Sequence, residues 1–247
     1  MKKWLILGAT SGIATHLARE LGARGYRLCL ADRKEVDQKL QLLAQDVHER
    51  FKIETTTAHF DAMDMERHEA FIAGIEESFG ELDGVVYAVG VMQPQRELEK
   101  DFSAARRRHA INYVAAMGLL GSVANRMERR RRGHIVAIGS PAGDRGRKSN
   151  YLYGADKAAL HVFMEGLRHR LSGKHVTVLT VKPGPTDTPM TAGMKDLKFK
   201  ARPEDVARDI ALAIDRKKQV IYTPAKWRII MCIIRHLPWC LFRRLDL

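Results

Sequence analysis

The feature that most constrains this chain is a regular alternation of short apolar runs with segments long enough to form helices. Six runs rich in Val, Ile, Leu or Thr are typical of β-strands: Trp4–Leu7, Tyr26–Ala31, Glu54–Phe60, Gly84–Ala88, His134–Ile138 and Val176–Val181. Helix-length segments lie between most of them, such as Ile13–Ala23, Lys34–Arg50 and Arg67–Phe79. Strands that alternate with helices predict a single doubly wound parallel sheet, of the α/β class, with helices on both faces.

The chain reads as one domain over residues 1–225, followed by a basic amphipathic segment over 226–247. No repeat, low-complexity stretch or linker interrupts about residues 1–190. We expect a flexible loop over Thr191–Arg202. A helix is predicted to begin at Pro203, because Pro suits a first helical position and Glu204 and Asp205 favour the positive first turn.

Several classes of protein are disfavoured by the sequence. Trp4–Leu7 offers four apolar residues, whereas a signal peptide needs an apolar region of roughly 7–15. No run approaches the roughly 18–20 apolar residues of a membrane-spanning helix. Cys29, Cys232 and Cys240 have neither metal-ligand spacing nor a disulfide framework. We therefore expect a cytoplasmic protein without a bound metal.

The net charge of +13 predicts attraction to an anionic partner, either a nucleic acid, a lipid surface or a phosphorylated substrate. Two local runs, Arg106–Arg108 and Arg129–Arg132, carry part of this charge. Runs of this kind are usually solvated helix faces or loops. No recognition motif or interleaved aromatic platform accompanies them, so nucleic-acid binding is not predicted.

A glycine-containing turn follows the first strand and opens the first helix. It spans Gly8–Ile13, with Thr10, Ser11 and Gly12 inside it. In that position backbone amides and a helix N-terminus can approach a pyrophosphate. Asp32 follows 24 residues after Gly8, where an acid can bind the ribose hydroxyls of NAD and repel the 2′-phosphate of NADP. The adjacent Arg33 favours NADP, and on balance we predict NAD(H).

Tyr153 and Lys157 are four residues apart, which places a phenol and an ammonium on one helix face. A nearby cation stabilises the phenolate and so lowers the pKa of the tyrosine toward the working pH. The pair alone is weak evidence, since random placement would give about 0.4 such pairs in a chain of this composition.

Other residues strengthen the prediction by their order along the chain. Ser140 follows the fifth predicted strand, 13 residues before Tyr153, and Asn112 lies in a helical stretch after the fourth strand. Pro183 and Gly184 follow the sixth strand, with Thr186 and Thr188 just beyond. Taken singly, these are ordinary turn or helix residues. In a doubly wound sheet, however, strand ends converge on one edge where ligands bind.

In these motifs the chain resembles a classical short-chain dehydrogenase/reductase over about residues 1–225. The resemblance implies a Rossmann-like dinucleotide-binding catalytic domain, an NAD(P)-dependent oxidoreductase activity on secondary alcohols or ketones, and a homo-oligomer. It implies that Tyr153 is the general acid/base, and that Lys157 lowers its pKa and holds the nicotinamide ribose. It also implies that Ser140 orients the carbonyl and that Asn112 supports a proton relay.

The resemblance further implies a set of cofactor-binding residues: Gly8, Thr10, Ser11, Gly12, Ile13, Asp32, Arg33, Asp61, Ala62, Ala88, Gly90, Tyr153, Lys157, Pro183, Gly184, Thr186 and Thr188. Asp61 and Ala62 would border the adenine, and Thr188 the nicotinamide amide. Two positions depart from the family pattern. Ala14 replaces its third glycine, and Tyr87–Gly90 replaces its Asn-Asn-Ala-Gly.

Two further segments, Gly143–Asn150 and the tail from Arg235 to Leu245, resemble reductases of decaprenylphosphoryl-2-keto-pentose. This resemblance implies a keto-sugar on a polyprenyl phosphate as substrate. Arg145, Arg147 and Lys148 would then contact the phosphate.

The tail alternates apolar residues with Arg and His, and Pro238 breaks any continuous helix within it. A basic amphipathic segment with Trp suits the surface of an anionic membrane. Alternatively, the tail packs over the substrate pocket or forms an oligomer interface. Two other functions stay open: reduction of a soluble ketone, and a catalytically silent dinucleotide-binding regulator.

Overall fold

The computed structural model describes residues 1–193 and 200–245. Within them, seven parallel strands form one sheet in the order β3-β2-β1-β4-β5-β6-β7. The strands are β1 (Lys3–Leu7), β2 (Arg27–Asp32), β3 (Thr55–His59), β4 (Gly84–Tyr87), β5 (Gly133–Ile138), β6 (Val176–Pro183) and β7 (Val220–Thr223). The six predicted strands are confirmed to within two residues at each end. Strand β7 was not predicted, because this short edge strand lacks a buried apolar run.

The helices are α1 (Gly12–Ala23), α2 (Asp37–Phe51), α3 (His68–Phe79), α4 (Gln95–Leu98), α5 (Phe102–His109), α6 (Ala115–Arg130), α7 (Tyr151–Arg170), α8 (Pro203–Asp215), α9 (Lys226–His236) and α10 (Trp239–Phe242). They cover both faces of the sheet. Leu5 and Leu7 of β1 lie in a core with residues of α3, α6 and α7, whereas Trp4 and Ile6 lie in a core with residues of α1, α2 and α8. The predicted doubly wound architecture is therefore confirmed.

The structure bears out two predicted helix boundaries and modifies a third. Helix α8 begins at Pro203, with Glu204 and Asp205 in its first turn. Pro238 separates α9 from α10, and no helix among the described residues is long and apolar enough to cross a bilayer. The helix predicted over Lys34–Arg50 instead begins as a 3₁₀ turn before α2. The loop predicted over Thr191–Arg202 lies partly outside the described residues.

The two arginine runs differ in their surroundings. In the second run, Arg130 pairs with Glu76 at 2.7 Å and Arg132 pairs with Glu81 at 2.7 Å, as on an ordinary polar helix face. In the first run, Arg108 is only 2% exposed. The prediction of a solvated face is therefore wrong for Arg108, which forms an ion pair with the buried Asp156.

Candidate active site

The residues predicted to bind the cofactor meet at the carboxyl edge of the sheet. Strand β1 lies between β2 and β4, so the order of the strands reverses at this point. The crevice at such a reversal is the usual ligand site of doubly wound sheets. The segments that follow β1, β2, β3, β4, β5 and β6 all begin at this edge, and these segments carry the predicted residues.

The glycine turn is shaped by two close approaches. Gly8 has φ of 73°, and a Cβ there would lie 3.0 Å from the Ala88 carbonyl carbon, so glycine is required on both counts. At Gly12, the first residue of α1, a Cβ would lie 2.5 Å from Thr188 Cγ2. The turn, the end of β4 and the segment after β6 therefore meet at the N-terminus of α1.

This N-terminus fits the pyrophosphate of a dinucleotide. No side chain caps α1 at Ser11, so no side-chain acceptor competes for its first backbone N–H groups. The helix dipole favours an anion at this position. The absent side chains of Gly8 and Gly12 let Ala88 and Thr188 approach this turn.

Asp32 is held against the glycine turn. Its Oδ2 accepts hydrogen bonds from the backbone N–H of Thr10 at 2.9 Å and from the Thr10 hydroxyl at 2.8 Å. Its Oδ1 accepts from the Arg33 N–H at 2.9 Å. Lys39 donates to the Thr10 carbonyl at 2.7 Å, while the Arg33 side chain is exposed. A carboxylate and two cations therefore lie where the adenosine ribose is expected.

The segment after β3 lies beside this ribose edge. The Phe60 N–H donates to the Asp32 carbonyl at 2.9 Å, which joins the ends of β2 and β3. Asp61 is exposed and its Oδ1 accepts from the Met63 N–H at 2.8 Å, while Ala62 is buried. Both residues are thus adjacent to the expected adenine end.

Asn112 is fully buried in a π-helical turn, Ala110–Val114, that joins α5 to α6. Such turns are frequent at functional sites. The Asn112 Oδ1 accepts from the Val91 N–H at 2.8 Å, and its Nδ2 donates to the Val91 carbonyl at 3.0 Å. A Cβ on Gly90 would lie 3.5 Å from Asn112 Oδ1 and 3.6 Å from Lys157 Nζ. Asn112 Oδ1 and Lys157 Nζ therefore both border the space that a side chain on Gly90 would occupy.

Lys157 is 3% exposed, and its Nζ donates to the Ile138 carbonyl at 3.0 Å. Burial lowers the pKa of Lys157 to about 8, although the nearby Asp156 carboxylate opposes this change. The Nζ lies 5.7 Å from the centre of the Tyr153 ring. The two side chains are thus neighbours, as their spacing predicted.

The pKa of Tyr153 differs from the expectation. Burial raises it to about 12, despite a hydrogen bond with Ser140 that lowers it. The lowering expected at the sequence level is not found, because loss of solvent penalises the phenolate more than the hydrogen bond with Ser140 and the charge of Arg108 favour it. The phenol is therefore protonated at neutral pH. Ser140 begins the segment after β5, and its N–H faces His161 Nε2 at 3.4 Å.

The basic residues expected to contact a phosphate have different surroundings. Arg145 donates through Nη1 to the main-chain carbonyls of Ile234, Arg235 and Leu237, and its guanidinium stacks on Phe242 at 3.8 Å. The guanidinium of Arg145 therefore binds the tail, whereas the resemblance had implied that it contacts a phosphate. The half-buried Arg147 has a buried Nε without a hydrogen-bond partner, and Lys148 is exposed.

The tail also reaches the segment after β6. A Cβ on Gly184 would lie 2.5 Å from Trp227 Cε2 in α9. The Thr186 hydroxyl donates to the Gly184 carbonyl at 2.9 Å and fixes the same turn. Pro183 ends β6 beside it. The tail thus packs against the edge of the candidate site. This contact agrees with the alternative that the tail packs over the substrate pocket.

A buried acid just after Ser140 was not predicted. Asp144 accepts from Lys182 Nζ at 2.6 Å and from the Tyr222 hydroxyl at 2.6 Å, and lies 3.4 Å from His161 Nδ1. Burial would raise the pKa of Asp144, but these three partners hold it well below its usual range. The spacing of charged residues in the sequence does not predict this cluster, because its four members lie in four separate segments of the chain.

Comparison with known proteins gives a consistent result. A family model described as short chain dehydrogenase matches residues 2–198. An uncharacterized oxidoreductase of Mycobacterium tuberculosis (strain CDC 1551 / Oshkosh) is 34% identical over 245 residues, which cover 98% of this chain and 96% of the relative. A short-chain dehydrogenase from Sphingobium yanoikuyae in complex with NADPH superposes with a TM-score of 0.83 and 23% identity, covering 100% of this chain and 97% of that one. An alcohol dehydrogenase from the archaeon Thermococcus sibiricus, complexed with 5-hydroxy-NADP, gives 0.78 and 22%, covering 90% and 95%. These two structures support the fold.

Proposed function

Because the chain belongs to the short-chain dehydrogenase family, and is thus an NAD(P)-dependent oxidoreductase acting on CH–OH groups, we propose that Tyr153, Lys157, Ser140 and Asn112 form its catalytic centre. The observation that carries this assignment is the arrangement around Gly90. Asn112 and Lys157 both border the space beside Gly90, while Tyr153 lies beside both Lys157 and Ser140.

In this mechanism Tyr153 supplies the proton. A nicotinamide dinucleotide held at the glycine turn and by Lys157 would supply the hydride for the carbonyl carbon of the substrate. The Tyr153 phenol gives its proton to the carbonyl oxygen as negative charge develops there. Ser140 donates a hydrogen bond to the same oxygen, and Lys157 stabilises the phenolate that remains. A protonated phenol at neutral pH suits the direction of ketone reduction.

The catalytic proposal is tested with Tyr153→Phe, which keeps the ring and removes the proton. The exposed Tyr151, two residues earlier in α7, provides the matched control Tyr151→Phe. NADH and NADPH oxidation are followed with a panel of ketones. We expect Tyr153→Phe to lose about 10²–10⁴-fold in rate and the control to keep wild-type activity. Equal rates for wild type and Tyr153→Phe would support the silent regulator instead.

We propose NAD(H) rather than NADP(H) as the cofactor. Asp32 supports this choice, since its carboxylate is fixed by Thr10 at the expected ribose and repels a 2′-phosphate. The ratio of kcat/KM for NADH and NADPH tests the preference. Asp32→Ala should reduce it by about tenfold or more, equivalent to one lost like-charge repulsion. A wild-type enzyme that prefers NADPH would overturn the assignment.

The proposed substrate is a keto-sugar carried on a polyprenyl phosphate. Arg147 supports a phosphate close to the pocket, because a half-buried guanidinium with an unpartnered Nε gains from an anionic partner. Burial lowers the pKa of Arg147, although the nearby Asp144 opposes this effect. We assign the phosphate to Arg147 and Lys148, since the guanidinium of Arg145 holds the tail.

The substrate is tested with a keto-pentose on a short polyprenyl phosphate and with the same sugar lacking the lipid phosphate. Arg147→Gln should raise KM about tenfold or more for the phosphorylated substrate alone. Arg106→Gln is the matched control, since Arg106 is exposed on α5. If Arg147→Gln changes KM equally for both substrates, or if only the free sugar is reduced, the result favours the alternative that the protein reduces a soluble ketone.

We also propose that the tail lies on an anionic membrane surface. Its inner side is anchored by Trp227, Met231 and Phe242, while large apolar side chains face outward: Ile229 is 68% exposed, Ile233 60%, Trp239 69% and Leu241 50%. Arg228, Arg235, Arg243 and Arg244 belong to the same segment. Apolar side chains beside cations suit the interface of an anionic bilayer.

Flotation with phosphatidylglycerol vesicles tests the membrane proposal in the full-length chain. Replacing Ile229, Ile233 and Trp239 together with Ser should abolish flotation without disturbing the anchored inner side. The same substitutions at the exposed Leu42 and Val162, in α2 and α7, serve as the control. Failure of the wild type to float would overturn the membrane proposal. A smaller assembly of the triple variant than of the wild type in light scattering would assign the outer face to self-association.

A further inference from the structure

Asp156 lies between the two proposed catalytic residues of α7, three positions after Tyr153 and directly before Lys157. Its side chain is 2% exposed. A buried carboxylate is costly unless it is paired and hydrogen-bonded, so its partners indicate what it stabilises. The mechanism above does not use it.

All the side chains that meet this carboxylate come from one helical stretch. Its Oδ2 accepts from Asn112 Nδ2 at 2.9 Å and lies 3.0 Å from Arg108 Nε. Its Oδ1 meets His109 Nδ1 at 2.9 Å. Asp156 thus joins the helix that carries Asn112 to the helix that carries Tyr153 and Lys157.

The carboxylate also fixes which way the Asn112 amide points. A carboxylate only accepts hydrogen bonds, so the NH₂ group of Asn112 must face it. The two Nδ2 hydrogens are then used by Asp156 and the Val91 carbonyl, which leaves Oδ1 for the Val91 N–H. A flipped amide would place two oxygens face to face.

We propose, on the basis of the catalytic centre assigned above, that Asp156 is a positioning residue that locks the amide of Asn112 in the orientation it has beside Gly90 and Lys157. The charged and titratable groups around it are Arg108 and His109 from α5 and Tyr153 and Lys157 from α7. Arg108 lies 3.0 Å from one oxygen of the carboxylate, and the negative charge of Asp156 favours the Lys157 ammonium.

The test is Asp156→Asn, in which an amide can turn its own NH₂ toward Asn112 and has no charge. We expect kcat for ketone reduction to fall about tenfold or more, with KM for the dinucleotide within about threefold of wild type. The rate should fall at alkaline pH as Lys157 loses its proton, and we call this part of the kcat profile its alkaline limb. In Asp156→Asn the limb should move to lower pH by about one unit, because an anion near Lys157 is lost. Glu165→Gln, an exposed acid of α7, is the matched control.

A second variant covers the event that Asp156→Asn does not fold. Arg108→Met with Asp156→Leu removes the buried pair together, which is often neutral for stability. This double variant should fold, bind dinucleotide and show a lowered kcat, because no carboxylate then holds the Asn112 amide. Its alkaline limb should move less than that of Asp156→Asn, since the Arg108 cation is removed with the Asp156 anion. An unmoved limb with a kcat within twofold of wild type in Asp156→Asn, or a kcat within twofold of wild type in the folded double variant, would overturn the role of Asp156. A wild type without reductase activity would instead overturn the catalytic centre itself.

Discussion

The indole of Trp227 occupies the space that a side chain on Gly184 would need. A Cβ on Gly184 would lie 2.5 Å from Trp227 Cε2, so the C-terminal helix α9 is seated directly on the turn after β6. That turn is expected to contact the nicotinamide. The tail and the candidate active site are therefore in direct contact at Gly184.

Gly184→Ala should displace the tail. Overpacking of this kind costs about 1–3 kcal/mol in the free energy of unfolding, and we expect a lower Tm and faster proteolysis within residues 226–245. The double variant Gly184→Ala, Trp227→Ala should recover part of the loss, because the smaller side chain leaves room. Gly146→Ala is the control, since no atom lies within 4 Å of the added Cβ.

Arg145→Met should also loosen the tail, because it removes the bonds to the carbonyls at the end of α9 and the charge stacked on Phe242. Proteolysis of the tail should accelerate by about tenfold, equivalent to the loss of one or two charged hydrogen bonds. Arg147→Gln is the comparison. If the two variants are cleaved at equal rates, Arg145 does not anchor the tail.

The stability of the fold should depend on pH through Asp144. Its pKa is held below the usual value by three partners, so its stabilisation is complete above the unfolded pKa of about 3.9. As the pH falls through the lower folded pKa, protonation removes that stabilisation. Asp144→Asn should lose about 3–5 kcal/mol at pH 7 and a smaller amount in acid. Denaturant unfolding between pH 7 and pH 3 measures the difference, with the exposed Asp64→Asn as control.

The rate of ketone reduction should fall as pH rises through about 8, the pKa of the buried Lys157. Below that value the ammonium is present and favours phenolate formation on Tyr153. Above it the lysine is neutral and the support is lost. Profiles of kcat from pH 6 to 10 should show this limb, and a profile flat to pH 10 would contradict it.

Much of the candidate site could be predicted from the spacing of residues that are close together in the sequence. The glycine turn, Ser140 and the Tyr153–Lys157 pair depend on neighbours within a few residues, and the alternating pattern of apolar runs already implied the sheet. Strand β7 was missed because an exposed edge strand of four residues has no periodic signal. The burial of Arg108 was missed because its partner Asp156 lies 48 positions further along the chain.

Hydrophobic periodicity and short motifs act over one turn or one strand, so the doubly wound fold and the family chemistry could be predicted from the order of the residues. Three other features could be found only in the folded protein: Arg145 holds the tail, burial dominates the pKa of Tyr153, and Asp156 faces Asn112. Each of these depends on desolvation and on contacts between residues that are far apart in the chain. Such contacts exist only once the sheet has brought its strand ends together.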